Sequence, residues 1–453
     1  MKLDQFKHIY LLGIGGIGMS ALARYFKLNG FTVSGYDRTN THITESLQKE
    51  GVDVSFIDKG KDIGALLPKK ENVLVIYTPA LPTGHKELSY FKTNEYTLKK
   101  RAEVLGIVTQ ELSCLAVAGT HGKTTTSTML AHLMESSGEK CNAFLGGISA
   151  NYNTNLLVNK DSPWVVVEAD EFDRSFLHLH PMASILTSVE ADHLDIYKTH
   201  QSLITAFEEY VKLIPENGLL IHHHTINITG KCKKTTYGVT EKEVDFQGKN
   251  LRYKNGSFLM DIKTPKSFWE AVKLGVPGIH NAENALSVVA MGEFIGFDET
   301  TIRKGLASFK GVKRRFEYII KNKNIIYIDD YAHHPTAIKN LIQSIRLIYP
   351  KKSVTGIFQP HLYSRTSDFM NEFATELSLL DEVILLPIYP AREKPIRGIN
   401  SETLLEKITC KKKSICHPNE VAGYLSQRKT GVFITIGAGD IDRIVEPLKR
   451  TFS

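Results

Sequence analysis

Residues 118–126, AGTHGKTTT, have the composition of a phosphate-binding loop. A strand-like apolar run precedes them and a helical segment follows, so backbone N–H groups and a helix N-terminus would face an anion. Lys123 would contact the β- and γ-phosphates of ATP, and the Thr124 hydroxyl would bind Mg²⁺. The loop is shorter than the G-x-x-x-x-G-K-[ST] pattern, which would require glycine in place of Val117. The predicted ATP-binding residues in this loop are Gly119, Thr120, His121, Gly122, Lys123, Thr124 and Thr125.

Residues 13–18, GIGGIG, form a second glycine-rich motif, which lies between an apolar run and an amphipathic segment. Together with Asp37, at the end of the next apolar run, they match the G-x-G-x-x-G fingerprint of NAD-binding domains. By itself this motif predicts an NAD-dependent oxidoreductase. Such an enzyme needs one dinucleotide and no ATP loop. An enzyme that energises one substrate with ATP and holds another phosphorylated substrate needs both loops, and we favour this second class.

An acidic run follows the apolar segment 164–167 and would lie at the carboxyl edge of a sheet, where open α/β sheets bind ligands. Its carboxylates are Glu168, Asp170, Glu171 and Asp173. Oxygen ligands of this kind suit Mg²⁺, although a solvated acidic loop would have the same composition. His193 follows the next predicted strand and is a further candidate ligand.

The segments YIDDYAHHPTAI at 327–338 and FQPHLYSRT at 358–366 also follow apolar runs. In the first, two aspartates precede His333 and His334, which would suit a transition metal, but no further His or Cys has the spacing of a metal site. Amino-acid recognition or acid–base chemistry is therefore the better interpretation. The second offers Arg365, whose guanidinium can bind a carboxylate through two hydrogen bonds. We interpret the HHH run at 222–224 as a loop without a role.

Alternating strand and helix patterns predict that α/β domains position these residues. The predicted strands lie at 8–12, 31–36, 72–77, 115–118, 164–170, 183–189, 325–328, 353–358, 382–387 and 432–436. Residues 228–270 have little helical periodicity and are predicted to form short antiparallel strands. We predict three domains, at 1–108, 109–311 and 312–453.

The composition is that of a globular enzyme. The chain has 453 residues, of which 42% are hydrophobic and 23% charged, as is ordinary for soluble proteins. The net charge of +7 is scattered, without the basic arm typical of nucleic-acid binding. Five cysteines without a C-x-x-C pair favour a reduced protein. The sequence shows no signal-peptide core and no apolar run of the ~20 residues that span a membrane. We therefore expect a cytoplasmic enzyme that binds neither nucleic acid nor membranes.

Nine motifs along the chain resemble, in the same order, those of the Mur ligase family. They are GTHGKTTT, EADEFDRSF, DHLD, GIHNAENA, GVKRRFE, DDYAHHPT, FQPHLYSRT, YPAREKP and GAGDID. The resemblance extends from Gly13 to Gly439 and is strongest to the members that add L-alanine to UDP-N-acetylmuramate in peptidoglycan synthesis, a step of cell-wall biogenesis linked to cell shape and division. It implies an α/β fold of three domains: a Rossmann-like domain for the UDP-sugar, a P-loop ATPase-like domain for ATP and Mg²⁺, and a C-terminal Rossmann-like domain that closes on ATP and the amino acid.

The resemblance also implies roles for individual residues. The UDP-sugar would contact Gly13, Gly15, Gly16, Gly18, Asp37 and Thr78. Thr124 would bind one Mg²⁺, and Glu168 and His193 would bind a second. Further nucleotide contacts would come from Asn281, Asn284, Arg315 and Asp330. Tyr331, His333 and Arg365 would surround L-alanine. The implied catalytic residues are Lys123, His193, His333 and Arg365. Leu362 stands where family members often have arginine.

The implied reaction is ATP-dependent ligation through an acyl phosphate, by a monomer or weak homodimer. The nearest alternative is the recycling ligase, which joins a tripeptide to the same nucleotide sugar and shares the Asp-Asp-aromatic-Ala-His-His segment. A folate-type polyglutamate ligase shares the logic of the central domain but lacks the N-terminal glycine loop. Two alternatives of a different class are the NAD-dependent oxidoreductase and a non-catalytic nucleotide-sugar sensor. A sensor would not need Thr124, Glu168 and His193 together.

Overall fold

The computed structural model describes residues 3–190, 194–391 and 393–452. Within these ranges the strands form three sheets, of five, ten and six strands, with helices between them, and the predicted three-domain α/β fold is confirmed. None of the helices in the described ranges is both long and apolar enough to cross a lipid bilayer. The chain divides into two compact units. Unit 1 comprises residues 1–249, 262–270 and 283–309, and unit 2 comprises residues 250–261, 271–282 and 310–453.

The first sheet belongs to unit 1 and is parallel throughout. Its strands are β1 (His8–Leu12), β2 (Thr32–Tyr36), β3 (Asp53–Ser55), β4 (Val73–Tyr77) and β5 (Thr97–Lys100), and its helices are α1 (Ile17–Leu28), α2 (His42–Lys49), α3 (Lys86–Thr93) and α4 (Arg101–Thr109). The strand order is β3-β2-β1-β4-β5, with parallel pairing at every step. The order reverses between β1 and β4, which opens a crevice at their carboxyl ends where such sheets bind ligands.

The second sheet follows directly. Its strands are β6 (Ser113–Ala118), β7 (Asn142–Phe144), β8 (Leu156–Leu157), β9 (Trp164–Glu168), β10 (Pro181–Leu186), β11 (Leu219–His223), β12 (Lys233–Val239), β13 (Phe246–Lys254), β14 (Ser257–Lys263) and β15 (Phe268–Leu274). Its helices are α5 (Lys123–Ser137), α6 (Leu194–Tyr197), α7 (His200–Val211), α8 (Ile279–Ile295) and α9 (Glu299–Ser308). The order is β15-β14-β13-β12-β11-β10-β6-β9-β7-β8.

One prediction about this sheet is wrong in part. The region 228–270 was expected to hold short antiparallel strands, but β12 pairs in parallel with both β11 and β13. The reason is that strand direction depends on the path of the connecting segment, which β-rich composition does not reveal. Further along, Asn255 and Gly256 both have positive φ, of 52° and 78°, as the two-residue turn of a hairpin between β13 and β14 requires.

The third sheet belongs to unit 2. Its strands are β16 (Glu317–Lys321), β17 (Ile325–Asp330), β18 (Val354–Phe358), β19 (Glu382–Leu385), β20 (Lys412–Ile415) and β21 (Gly431–Ile436). Its helices are α10 (Pro335–Ile348), α11 (Tyr363–Asp368), α12 (Met370–Leu377), α13 (Ser401–Lys407), α14 (Val421–Leu425) and α15 (Val445–Phe452). The order is β16-β17-β21-β18-β19-β20, and every pair is parallel except β16 with β17.

The central strands carry continuous apolar runs because helices cover both faces of a parallel sheet. In β9, residues 165–167 are three successive valines with no exposed surface. Phe176, in the short 3₁₀ helix Phe172–His178 that begins within the acidic run, stacks on Tyr210 of α7 at 4.8 Å between ring centroids. This contact fixes the end of the acidic run and the segment after it against the core. The five cysteines are all buried and none forms a disulfide.

Candidate functional site

The loop between β6 and α5 lies at the carboxyl edge of the second sheet, and its backbone conformation requires glycine. Gly119 has a φ of +127° and Gly122 a φ of +83°. A Cβ at Gly119 would overlap the Thr187 hydroxyl and lie 2.8 Å from the Ser188 backbone nitrogen. Ser188, just after β10, holds the loop in place: its carbonyl accepts the Thr120 N–H at 3.0 Å and its hydroxyl accepts the His121 N–H at 2.9 Å. Two neighbouring parallel strands therefore shape the predicted ATP loop.

Lys123, the first residue of α5, bends back over this loop. Its ammonium donates to the Gly119 carbonyl at 2.6 Å and forms a buried ion pair with Glu171, at 2.7 Å from Nζ to Oε2. Burial alone would lower the pKa of Lys123, but the nearby carboxylates of Glu171, Asp170 and Glu168 outweigh burial and raise it. The lysine therefore carries its charge at neutral pH.

The Thr124 hydroxyl donates to Glu168 Oε1 at 3.2 Å, so the two side chains predicted to bind Mg²⁺ lie together. Glu168 ends β9, and its carboxylate lies directly against the backbone of Gly146, where a Cβ would overlap the carboxylate group and lie 2.6 Å from Oε1. A hydroxyl and a carboxylate side by side are donors that suit Mg²⁺. The third predicted ligand, His193, lies outside the described residues.

The GIGGIG motif lies at the crevice of the first sheet. Gly13 has a φ of +84°, and a Cβ there would lie 2.6 Å from the Thr78 methyl group at the end of β4. Gly16 caps the N-terminus of α1. The Asp37 carboxylate accepts the Gly15 N–H at 2.8 Å, so this side chain shapes the loop directly. The structure thus brings the predicted UDP-sugar residues together at the end of β1, β2 and β4.

Arg101 is a functional candidate that the sequence patterns did not identify. It is the first residue of α4, directly after β5, and its guanidinium covers Gly18 so closely that a Cβ there would overlap Nη1. The same guanidinium donates to the Asp170 carboxylate at 3.3 Å. The preceding Lys100 pairs with Asp173 at 2.8 Å. Basic side chains at the carboxyl end of β5 therefore join the glycine motif to the acidic run. The sequence feature that could have identified Arg101 is the KKR triplet at 99–101. It points to a binding site only when β5 is known to end there, at the carboxyl edge of the sheet.

Helix α8 brings part of the HNAEN motif to the ATP loop. The Asn284 amide oxygen lies 2.8 Å from the position of a Cβ at Gly122, so this side chain lies against the loop backbone. Asn281 donates its amide to the Pro277 carbonyl. Glu283 accepts the Val239 N–H at 3.0 Å and lies 3.5 Å from the His223 imidazole. His222 and His223 are the last residues of β11, so their interpretation as a loop was wrong.

In unit 2, Asp329 and Asp330 are the last residues of β17, and both contact the preceding KRR segment at 313–315 or the residue after it. The Asp330 carboxylate accepts the N–H groups of Phe316 and Ala332, each at 2.7 Å, and therefore holds the local backbone in place. Arg314 pairs with Asp329 at 3.3 Å. Burial raises the pKa of Asp329 to about 6, although Arg314 opposes this shift.

Tyr331 lies beneath the two arginines of this segment. The guanidinium carbons of Arg314 and Arg315 lie 5.1 Å and 4.8 Å from the centre of the Tyr331 ring, within the range of cation–π contacts. Tyr331 in turn makes an edge contact with His333, at 5.4 Å between ring centroids. The predicted nucleotide residue Arg315 and two predicted amino-acid residues therefore form one cluster.

His333 and His361 face each other at the carboxyl edge of the third sheet, 6.1 Å apart by ring centroids. Burial and the Arg365 guanidinium lower the pKa of His361 to about 4 and hold that of His333 well below its ordinary value. His333 Nδ1–H donates to the Tyr331 carbonyl at 2.9 Å, which leaves Nε2 of the neutral ring as a proton acceptor. Leu362 has a φ of +70°, an unfavourable conformation for a side chain with a Cβ.

Comparisons with known proteins cover most of the chain. Three family models match in succession: the Mur ligase family catalytic domain at residues 8–111, the Mur ligase middle domain at 117–292, and the Mur ligase glutamate ligase domain at 314–437. The predicted domain boundaries, at 108 and 311, remain predictions.

Two curated relatives are similar over nearly their whole length. The UDP-N-acetylmuramate–L-alanine ligase of Flavobacterium psychrophilum is 48% identical, with 99% of both chains covered. The ligase of the same name from Cytophaga hutchinsonii is 45% identical, with 99% of this chain and 97% of that protein covered.

Two solved structures are similar to this chain over nearly its whole length. UDP-N-acetylmuramate–alanine ligase from Thermotoga maritima matches with a TM-score of 0.85 and 28% identity over 98% of both chains. A murein peptide ligase from Psychrobacter arcticus matches with a TM-score of 0.72 over 98% of both chains, but at 23% identity this likeness concerns the fold alone.

Proposed function

The chain belongs to the Mur ligase family, and we propose that it is the ATP-dependent ligase that joins L-alanine to the carboxylate of UDP-N-acetylmuramate. The observation that carries this function is the presence, in one compact unit, of two glycine loops, each at the carboxyl end of a strand whose two neighbours are parallel to it. Each loop suits a phosphorylated ligand. One accounts for ATP and the other for the diphosphate of the nucleotide sugar. An NAD-dependent oxidoreductase would leave the ATP loop without a purpose.

In the first step, a carboxylate oxygen of the muramate attacks the γ-phosphorus of ATP. The bond to the β-phosphate oxygen breaks, and an acyl phosphate and ADP form. A carboxylate and a polyphosphate repel each other, so the step requires positive charge. Lys123 provides a charged ammonium at the loop, and the N-terminus of α5 adds the partial positive charge of its dipole.

Mg²⁺ fits the donors beside the loop. The Thr124 hydroxyl and the Glu168 carboxylate would hold it, and we propose that His193 completes a second site with Glu168. When bound, Mg²⁺ neutralises phosphate charge and polarises the γ-phosphoryl group. Other side chains would bind the rest of the nucleotide: Lys123 would bind phosphate oxygens, and Asn281 and Asn284 would contact the adenine.

The nucleotide sugar would lie over the first loop. Helix α1 begins at Ile17, directly after the loop, so the positive end of its dipole lies at the crevice, and Arg101 lies over Gly18. We propose that the Arg101 guanidinium binds the diphosphate with charge-assisted hydrogen bonds. Because Arg101 also contacts Asp170, it would place the sugar on the side of the loop that faces the ATP-site carboxylates.

In the second step, the amine of L-alanine attacks the acyl carbon, and phosphate leaves the tetrahedral intermediate. The amine must lose a proton to become a nucleophile. We propose that Arg365 binds the alanine carboxylate and that His333, neutral and with Nε2 available, accepts the proton. Tyr331 would form the wall of the same site. Arg315 would reach the nucleotide, while Asp330 supports the loop that carries Tyr331.

The test is phosphate release with one component omitted at a time. Release should require ATP, Mg²⁺, UDP-N-acetylmuramate and L-alanine together, which would also exclude a non-catalytic sensor. Replacing L-alanine by the stem tripeptide distinguishes the recycling ligase, and a preference for the tripeptide would overturn the proposal. Lys123→Ala should lower turnover by roughly 100-fold or more with an unchanged melting temperature. Near-normal turnover in that variant would refute the role of Lys123. Gel filtration tests the proposed monomer or weak homodimer, and cell fractionation the cytoplasmic location.

A further inference from the structure

Glu171 lies at the centre of the ATP site but has no role in the reaction described above. Its carboxylate side chain has no exposed surface, and both of its oxygens lie within 3.0 Å of the Lys123 ammonium. We infer that Glu171 is a positioning residue, which holds Lys123 in the orientation that phosphate binding requires. This inference rests on the proposed role of Lys123 as a ligand of ATP.

The hydrogen bonds of Lys123 support this assignment. A lysine ammonium has three N–H donors. One points to the Gly119 carbonyl at 2.6 Å and one to Glu171 at 2.7–3.0 Å. The remaining contact, to the Thr120 carbonyl, is long at 3.4 Å. The N–H that makes this long contact can therefore turn to a phosphate oxygen while the two shorter bonds are kept.

The backbone of Glu171 is itself fixed. Its carbonyl accepts the Tyr197 hydroxyl and the Arg174 N–H, the latter at 3.0 Å. Asp173 and Arg174 both have positive φ, of 53° and 54°, so the chain turns sharply directly after Glu171. A carboxylate held this firmly can restrict a flexible lysine side chain, which otherwise has four rotatable bonds and a large entropy to lose on binding.

The alternative is that the ion pair acts as a lock, from which Lys123 must be released before ATP binds. The two readings predict opposite effects of Glu171→Gln. If Glu171 positions Lys123, ATP affinity falls when the charge is removed. If it locks Lys123, ATP affinity rises.

The decisive experiment is a double-mutant cycle with nucleotide binding as the readout, measured by calorimetry on the full chain. We expect Glu171→Gln to weaken ATP binding by roughly 10-fold, because the amide oxygen can still accept from Lys123 but lacks the charge that strengthens the bond. AMP, which lacks the terminal phosphates, should bind the variant as it binds the wild type. In a Lys123→Ala background, Glu171→Gln should have less than about a 2-fold further effect, since it acts through the lysine.

Several outcomes would overturn the inference. They are tighter ATP binding by Glu171→Gln, an equal loss of AMP affinity, or full additivity with Lys123→Ala. Glu209→Gln is the matched control, because it removes a carboxylate from an exposed ion pair with Arg174 in the same unit and should leave ATP affinity unchanged. Failure of the proposed function is distinguishable, because the wild-type chain would then bind ATP and AMP equally well and Lys123→Ala would have no effect.

Discussion

Replacing Arg101 by alanine is expected to weaken binding of the nucleotide sugar selectively. The guanidinium lies over Gly18, at 3.2 Å from its Cζ to the position of a Cβ on that glycine. If it donates to a diphosphate oxygen, its loss removes a charge-assisted hydrogen bond, worth roughly 1.5–3 kcal/mol. That free energy corresponds to a rise of roughly 10- to 100-fold in KM for UDP-N-acetylmuramate. The KM for ATP should change far less, since the ATP loop contacts other residues.

The fold should tolerate this change. The pair between Arg101 and Asp170 is partly exposed, with side-chain exposures of 24% and 34%, and pairs of this kind contribute about 0–1 kcal/mol to stability. The assay is steady-state phosphate release with each substrate varied in turn, together with the melting temperature. Lys99→Ala is the control, because Lys99 belongs to the same basic triplet but pairs with Glu103. Equal effects on the KM of both nucleotides, or no effect on that of the sugar nucleotide, would refute the assignment of Arg101 to the diphosphate.

Two further predictions concern stability. Gly119→Ala should lower the free energy of unfolding by roughly 2–6 kcal/mol, because a φ of +127° disfavours alanine and the new methyl group would overlap Thr187; a melting temperature within one or two degrees of wild type, by calorimetry, would contradict this. Acidification should destabilise the chain between about pH 6.5 and 4, because His361, with a pKa of about 4, binds its proton only in the unfolded state over this range. The loss is roughly 2 kcal/mol at pH 5, and Asp329, with its pKa raised to about 6, opposes it in the same range. Denaturant unfolding at pH 7 and pH 5 tests this. The free energy of unfolding should fall less between these pH values in His361→Gln than in the wild type, and an identical fall would rule out His361 as a cause.

The glycine motifs and the ATP loop were predictable because their chemistry is local. A positive φ at Gly119 and Gly122, a helix N-terminus and an adjacent lysine occur within six residues of one another. The three-domain fold was also predictable from local patterns, since apolar runs alternate with helical patterns throughout the chain. Local patterns therefore identified both phosphate-facing loops.

The contacts between distant segments were not predictable in this way. Arg101 became a candidate only when β5 placed it beside Gly18, more than eighty residues earlier in the chain. The pairing of Lys123 with Glu171 likewise depends on β6 and β9 being neighbours in the sheet. The predicted direction of β12 was wrong for the same physical reason, because the path of the connecting chain decides whether neighbouring strands are parallel. The predicted role of His193 stays a prediction, since that residue lies outside the described ranges.

The central claim is that the sugar carboxylate is activated by transfer of the γ-phosphoryl group of ATP. Labelling both carboxylate oxygens of UDP-N-acetylmuramate with ¹⁸O tests it directly, because the oxygen that attacks phosphorus leaves with the phosphate. With ATP, Mg²⁺ and L-alanine present, mass spectrometry should find one ¹⁸O in each released phosphate and the other in the new amide. Unlabelled phosphate, with amide formed, would contradict an acyl phosphate and with it the account of how the two glycine loops cooperate.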